Sequence, residues 1–310
     1  MEYYNINHSA RAGIWALGVP LIVSLLASII AIVSGNAETV TENVYFLVFT
    51  SVAVELGFLL VAYLLGKKDQ INCLNACGVK TKSPWYFYLI AILLGVVFLF
   101  LFNPLIELWE RLLDLIGYNL ATDINISLSN AGYLVLALVC FGIVPAICEE
   151  MLFRGVILNG LRGYGACFSI GISALLFSLM HTNLQQLPYT LILGVILGII
   201  VYFTRDLKLS MLIHFINNAV AILLMYFTRS TNNPFVWYDI LIALACVIGA
   251  VALMILIIYF LKKKSKATPD LNQNNEQVLD KNARNRLLSL PIIMGVLILI
   301  IFSLNKFGVL

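Results

Sequence analysis

The feature that most constrains this chain is the recurrence of apolar windows about 17 to 25 residues long or longer, the length a helix needs to cross roughly 30 Å of hydrocarbon. They occupy residues 12–34, 43–65, 84–105, 131–161, 165–181, 184–204, 209–228, 236–261 and 288–306. With 61% hydrophobic and only 11% charged residues over 310 positions, the chain lies far outside the range of a soluble domain. The expected fold is all-α: a polytopic membrane helix bundle with about eight or nine transmembrane helices. The first window follows a short polar head carrying Arg11 and lacks a small-residue cleavage site, so it reads as an uncleaved span.

Lys and Arg retained in short cytoplasmic loops set the orientation. With the N-terminus inside, alternate loops carry Lys67, Lys68, Lys80 and Lys82, then Arg162, then Arg205 and Lys208, then the run from Lys262 to Arg286. The opposite loops hold mainly Glu38, Glu42, Glu107, Glu110, Asp114 and Asp123. A cytoplasmic N-terminus is therefore expected. The net charge of +3 is a topology signal with anionic lipid headgroups as contacts, and nucleic acid is not an expected partner. Cysteines lie in windows or in an inside loop, which does not resemble a disulfide framework. Cys73 and Cys77 form a CxxxC pair without a nearby histidine to complete a zinc set. The stretch 262–286 is polar enough for a cytoplasmic linker. Three regions follow: spans over 1–129, a four-helix core over 130–228, and C-terminal spans with that linker over 229–310.

Into this apolar background the sequence CEEMLFRG, 148–155, sets two adjacent carboxylates and an arginine. Each ionisable group at the centre of a span costs about 2.5–3.5 kcal/mol on insertion scales, and by default it marks a functional site. Glu149, Glu150, Arg154, His181, His214, Asn217 and Asn218 all come from about 70 residues, close enough to compensate one another in one pocket. Glu150 and Arg154 are four apart and share a helix face, where a buried ion pair that fixes register is the plainest reading. Glu149 points about 100° away. Asn218, one turn after His214, shares the face of that histidine, whereas Asn217 does not. A turn at 162–165 would fold two antiparallel helices so that His181 meets the glutamates in depth. Straight helices, however, leave His214 about 15 Å from His181 in depth. Something has to bend, tilt or start deeper, and TNLQQLP at 182–188 is a candidate for a segment that stays within the bilayer. Glu55, midway along the second window, is a further buried carboxylate without an assignable partner.

Glu149-Glu150-x-x-x-Arg154, Phe177-x-x-x-His181 and His214-x-x-x-Asn218 together resemble the three signature motifs of the CAAX protease and bacteriocin-processing (CPBP, or Abi) family of intramembrane endopeptidases. The resemblance covers about 130–228. It implies peptide-bond hydrolysis in a membrane-associated peptide or protein, with Glu149 and His181 activating a water and His214 and Asn218 steadying the oxyanion. Glu150, Arg154 and Phe177 would support them. A buried general base and neutral donors suit that chemistry independently of the family. The rival is zinc on Glu149, His181 and His214 with an open position for water. HExxH is absent, and the metal-free reading, without a cofactor, is favoured. A secondary transporter with a mid-membrane relay, or a non-catalytic immunity or scaffold protein, are alternatives from other classes.

Overall fold

A computed structural model describes residues 4–35, 43–118, 131–227, 248–249 and 281–306. Its long elements are all helical: α1 (Ile6–Val33), α2 (Val44–Lys68), the short α3 (Cys73–Ala76), α4 (Trp85–Leu115), α5 (Ala131–Tyr164), α6 (Ala166–Met180), α7 (Leu187–Thr204), α8 (Leu207–Phe227) and α9 (Lys281–Lys306). Among the described residues six of these, α1, α2, α4, α5, α7 and α8, are long and apolar enough to cross a membrane, and α6 and Leu288–Leu304 within α9 are shorter apolar helices. The chain is an integral membrane protein with a polytopic helical bundle. Apart from 248–249, the window at 236–261 lies outside the described residues, as does most of the expected linker. The last part of that linker, 281–286, belongs instead to α9.

Helix starts follow local chemistry. Asn5 caps α1 by accepting from the backbone of Asn7 and His8, and His8 returns the bond to the Asn5 amide, which moves the start from the expected residue 12 to Ile6. Asn43 caps α2 by accepting from the backbone of Tyr45 and Phe46. Large side chains such as Leu25, Ile32, Leu60 and Leu93 face outward, while Phe58, Phe98, Phe153 and Phe177 fill the interior. That distribution suits a bundle whose outer surface meets lipid, where packing and hydrogen bonds drive association.

α5 is the central element, and it is not a uniform α-helix. Two wider π-helical stretches, Leu138–Ile143 and Met151–Leu158, flank the α-helical segment Val144–Glu150 that carries the two glutamates. Pro145 at the start of that segment has no N–H to give to the ladder. Hydrocarbon cannot solvate a carbonyl that such a distortion loosens, so other side chains have to donate to it. Asn218 donates to the Phe141 carbonyl at 3.1 Å, Ser173 to Phe153 at 2.9 Å, Ser9 to Ile157 at 2.9 Å and Asn159 to Gly155 at 3.0 Å. Helices α8, α6 and α1 thereby each pin α5 through a polar bond.

The turn between α7 and α8 is tied to the segment that leads into α4. Asp206 is fully buried against residues 78–88, accepting from the Ser83 amide at 3.0 Å and the Tyr88 hydroxyl at 2.7 Å. Lys208 donates to the Val79 carbonyl at 3.0 Å and also to that of Thr81. Helix α8 therefore starts with the polar groups of its first turn bonded within the protein. At the other end, TNLQQLP is tied to α4, with Trp109 donating to the Leu184 carbonyl at 2.9 Å and Gln185 to Glu110 at 2.7 Å. In the loop between α2 and α4, Cys73 and Cys77 place their sulfurs 3.7 Å apart, and that hydrogen bond draws the Cys73 thiol down to about 7 against the opposing effect of burial.

Close approach of α1 to α5 depends on Gly160, where a β-carbon would lie 2.5 Å from the Asn5 carbonyl oxygen and collide with Ser9 Oγ. Gly160→Ala should destabilise the detergent-solubilised protein by about 1–3 kcal/mol through overpacking. Gly163→Ala, with nothing within 4 Å of the added carbon, should stay within about 0.5 kcal/mol of the parent. Thermal unfolding of the two variants side by side measures the difference.

Candidate active site

Helix α5 presents Glu149, Glu150 and Arg154 to a pocket closed by α2, α6, α7 and α8. Glu150 and Arg154 are both fully buried, and the guanidinium donates to Glu150 Oε1 at 2.5 Å. A second guanidinium nitrogen donates to the Gly194 carbonyl on α7 at 3.1 Å, and the guanidinium carbon lies 4.3 Å from the centre of the Phe177 ring. Arg154 thus meets a carboxylate, a carbonyl dipole and an aromatic face, each of which offsets part of its desolvation. The pair expected from the i,i+4 spacing is present.

Glu150 has a second task that the spacing did not suggest. The same Oε1 accepts from His214 Nδ1 at 3.2 Å, so one carboxylate oxygen joins α5 to α8. The other imidazole nitrogen, Nε2, lies 3.8 Å from Glu149 Oε2. His214 therefore bridges the two glutamates, with carboxylates on both of its nitrogens.

His181 closes α6 as its C-terminal cap. Its Nδ1 lies 2.9 Å from the Phe177 carbonyl, an oxygen that can only accept, so the hydrogen sits on Nδ1. In the neutral ring Nε2 then carries the lone pair and is the acceptor. Phe177 is the hub of the pocket: its ring centre is 5.1 Å from that of His181, 5.9 Å from that of His214 and 5.3 Å from that of Phe153. Both histidines thus pack on one phenyl ring at one level.

Glu149 is buried, and its Oε2 has no hydrogen-bond donor among the described residues. Its carboxyl is in hydrogen-bond contact with that of Glu55 from α2, which supplies the partner that Glu55 lacked in the sequence. Phe58 and Phe153, one turn further along the same two helices, meet edge to face at 6.2 Å. The structure therefore gathers Glu149, Glu150, Arg154, Phe177, His181 and His214. Asn218 stands at the margin, with its amide on the Phe141 carbonyl of the first π stretch. Asn217 is the more deeply buried amide and donates to the hydroxyl of Tyr189. Tyr189 was missed: a tyrosine at the head of an apolar window reads equally well as an interfacial anchor.

The alternative set, Glu149, His181 and His214, has donor chemistry suited to zinc. Among the described residues no three His, Cys, Asp or Glu side chains are gathered as a metal-binding group.

Residues 131–220 match the model of the family described as type II CAAX prenyl endopeptidase Rce1-like. The match spans all three motifs, from Glu149 through His214 to Asn218, and is consistent with the CPBP resemblance. No curated protein and no solved structure matches the chain.

Because Glu150 holds both Arg154 and His214, Glu150→Gln should act first on stability, at about 3–5 kcal/mol for a broken buried pair. A double substitution of Glu150 and Arg154 by methionine leaves no orphaned charge and should be markedly more stable than Glu150→Gln alone. Melting temperatures in one detergent compare the two, and a double variant less stable than the single one would contradict the ion-pair account.

Proposed function

We propose that this protein is an intramembrane endopeptidase of a bacterial-type plasma membrane that hydrolyses a peptide bond in a membrane-associated peptide or protein. The observation that carries this reading is the convergence of two imidazoles and a carboxylate from three helices: His181 from α6 and His214 from α8 pack on the Phe177 ring, and Glu149 from α5 lies 3.8 Å from His214. The Rce1-like match over the same residues supports peptidase chemistry at the family level. That family's description refers to prenylated CAAX tails. For this chain the proposed substrate class is broader, a polypeptide held at the bilayer by its own hydrophobic or lipid anchor.

In this reading a water bound between Glu149 and Nε2 of His181 attacks the scissile carbonyl carbon. As the new C–O bond forms, the water proton passes to Glu149 and the carbonyl π electrons move onto oxygen. His214 is held by Glu150 at Nδ1 and turns Nε2 towards the oxyanion as a hydrogen-bond donor. Asn218 contributes its second amide hydrogen, the first being engaged by Phe141. When the intermediate collapses, the C–N bond breaks and the proton on Glu149 transfers to the departing amine. Arg154 takes no part in the bonds that change; it keeps Glu150 in place. Oriented donors in a pocket shielded from bulk water supply the transition-state stabilisation.

Two measurements test the proposal. Glu149→Gln keeps the side-chain shape but cannot take a proton, so the purified variant should melt like the parent and lose about 10²–10⁴ of its turnover. Unchanged specific activity would remove Glu149 from the mechanism. Protein stripped with a strong chelator should retain its activity, since no step uses an ion. Loss of turnover that returns only with zinc or cobalt would favour the metal alternative and make His214 a ligand.

A further inference from the structure

Glu55 lies on α2, more than 70 residues before the family-matched segment, and none of the three motifs includes it. It is buried, and no lysine, arginine or histidine forms an ion pair with it among the described residues. Its carboxyl meets that of Glu149, while Oε2 of each has no other hydrogen-bond partner among the described residues. The facing is structural, not accidental. Phe58, one turn past Glu55, packs on Phe153, one turn past Glu149, so α2 and α5 lie in one register over both contacts.

Two carboxyl groups in hydrogen-bond contact inside a low-dielectric medium cannot both be charged, and their oxygens, all acceptors when ionised, need a hydrogen between them.

We infer that Glu55 is a positioning residue for Glu149: the carboxylic acid of Glu55 donates a hydrogen bond to one oxygen of Glu149, leaving the other aimed at the water that attacks the substrate. The chemical role rests on the endopeptidase reading, whereas the shared proton does not. In the hydrolytic step the proton that Glu149 receives from water goes on to the leaving amine. The Glu55 proton stays on Glu55 throughout, so the atom balance of the reaction is unchanged. What Glu55 supplies is direction for one carboxylate that would otherwise rotate about its terminal bond.

The test needs a readout of the proton and a readout of the chemistry. In the infrared spectrum of the purified protein at neutral pH, the C=O stretch of a hydrogen-bonded carboxylic acid should be present. It should be lost in Glu55→Gln and moved in frequency in Glu149→Gln, where the partner of Glu55 has become an amide. In kinetics, Glu55→Leu should lower kcat about ten- to a hundredfold, the loss of one charge-assisted hydrogen bond. KM should stay within about twofold, because substrate is not touched. Glu55→Gln, which still offers an N–H to Glu149, should restore most of the rate. A band unaltered by both glutamine substitutions overturns the shared proton, whether or not the protein is a peptidase. Wild-type kcat in Glu55→Leu, or a Glu55→Gln variant as slow as Glu55→Leu, overturns the positioning role. If Glu55→Leu does not fold, the infrared comparison and the Glu55→Gln rate still decide.

Discussion

A single oxygen atom, Oε1 of Glu150, receives both the Arg154 guanidinium and the His214 imidazole in the interior of a membrane bundle. In water such a contact would be worth little, because solvent competes for every partner. In a pocket closed by phenylalanines it settles where three helices sit: α5 supplies the carboxylate and the arginine, α8 the histidine, and α7 the Gly194 carbonyl that receives the remaining guanidinium bond. Removing any one of these groups strands the charge of another. The pocket is thus better described as one neutralised set than as a list of separate residues.

The same reasoning explains the irregular backbone of α5. A π-helical stretch exposes carbonyl groups that an α-helix would have bonded, and functional sites are where such stretches are often found. Here each is answered by a side chain from a neighbouring helix, Asn218 for the first and Ser173 and Ser9 for the second. The distortion and the packing support each other: the loosened carbonyls give polar anchors to α1, α6 and α8, and those anchors hold the glutamate segment between them. The serines of an apolar helix, which look incidental in a hydropathy profile, are structural donors in this setting.

Much of this was legible in the sequence because membrane physics penalises charge strongly. Apolar windows located the described helices, with boundaries displaced at several ends: the Asn5 cap brings α1 forward to Ile6, α4 runs on to Leu115 and α9 begins at Lys281. The i,i+4 rule paired Glu150 with Arg154, and the expense of burying His181 and His214 marked them before any geometry was known. What was not legible depended on contacts between distant segments. Glu55 could be seen as an anomaly, but its partner lies 94 residues away on another helix. The link from Glu150 to His214 was hidden because the ion pair with Arg154 already accounted for Glu150. The level of His214 could not be inferred from its distance to the nearest charged turn, because Asp206 in that turn is buried and takes its hydrogen bonds from Ser83 and Tyr88. Hydropathy reads a polar turn as a membrane boundary, and a turn that satisfies its polar groups within the protein defeats that rule.

The central claim is that Glu149 and His181, from different helices, act on the same water. A double-mutant cycle on turnover tests it most directly, using Glu149→Gln, His181→Ala and the combined variant in detergent with a membrane-associated fluorogenic peptide. Groups that act as one unit are strongly non-additive, so either substitution alone should remove nearly all that the pair contributes, leaving the double variant no slower than the slower single one. Losses that simply multiply, each residue contributing independently, would contradict a shared water and separate the two residues into different roles.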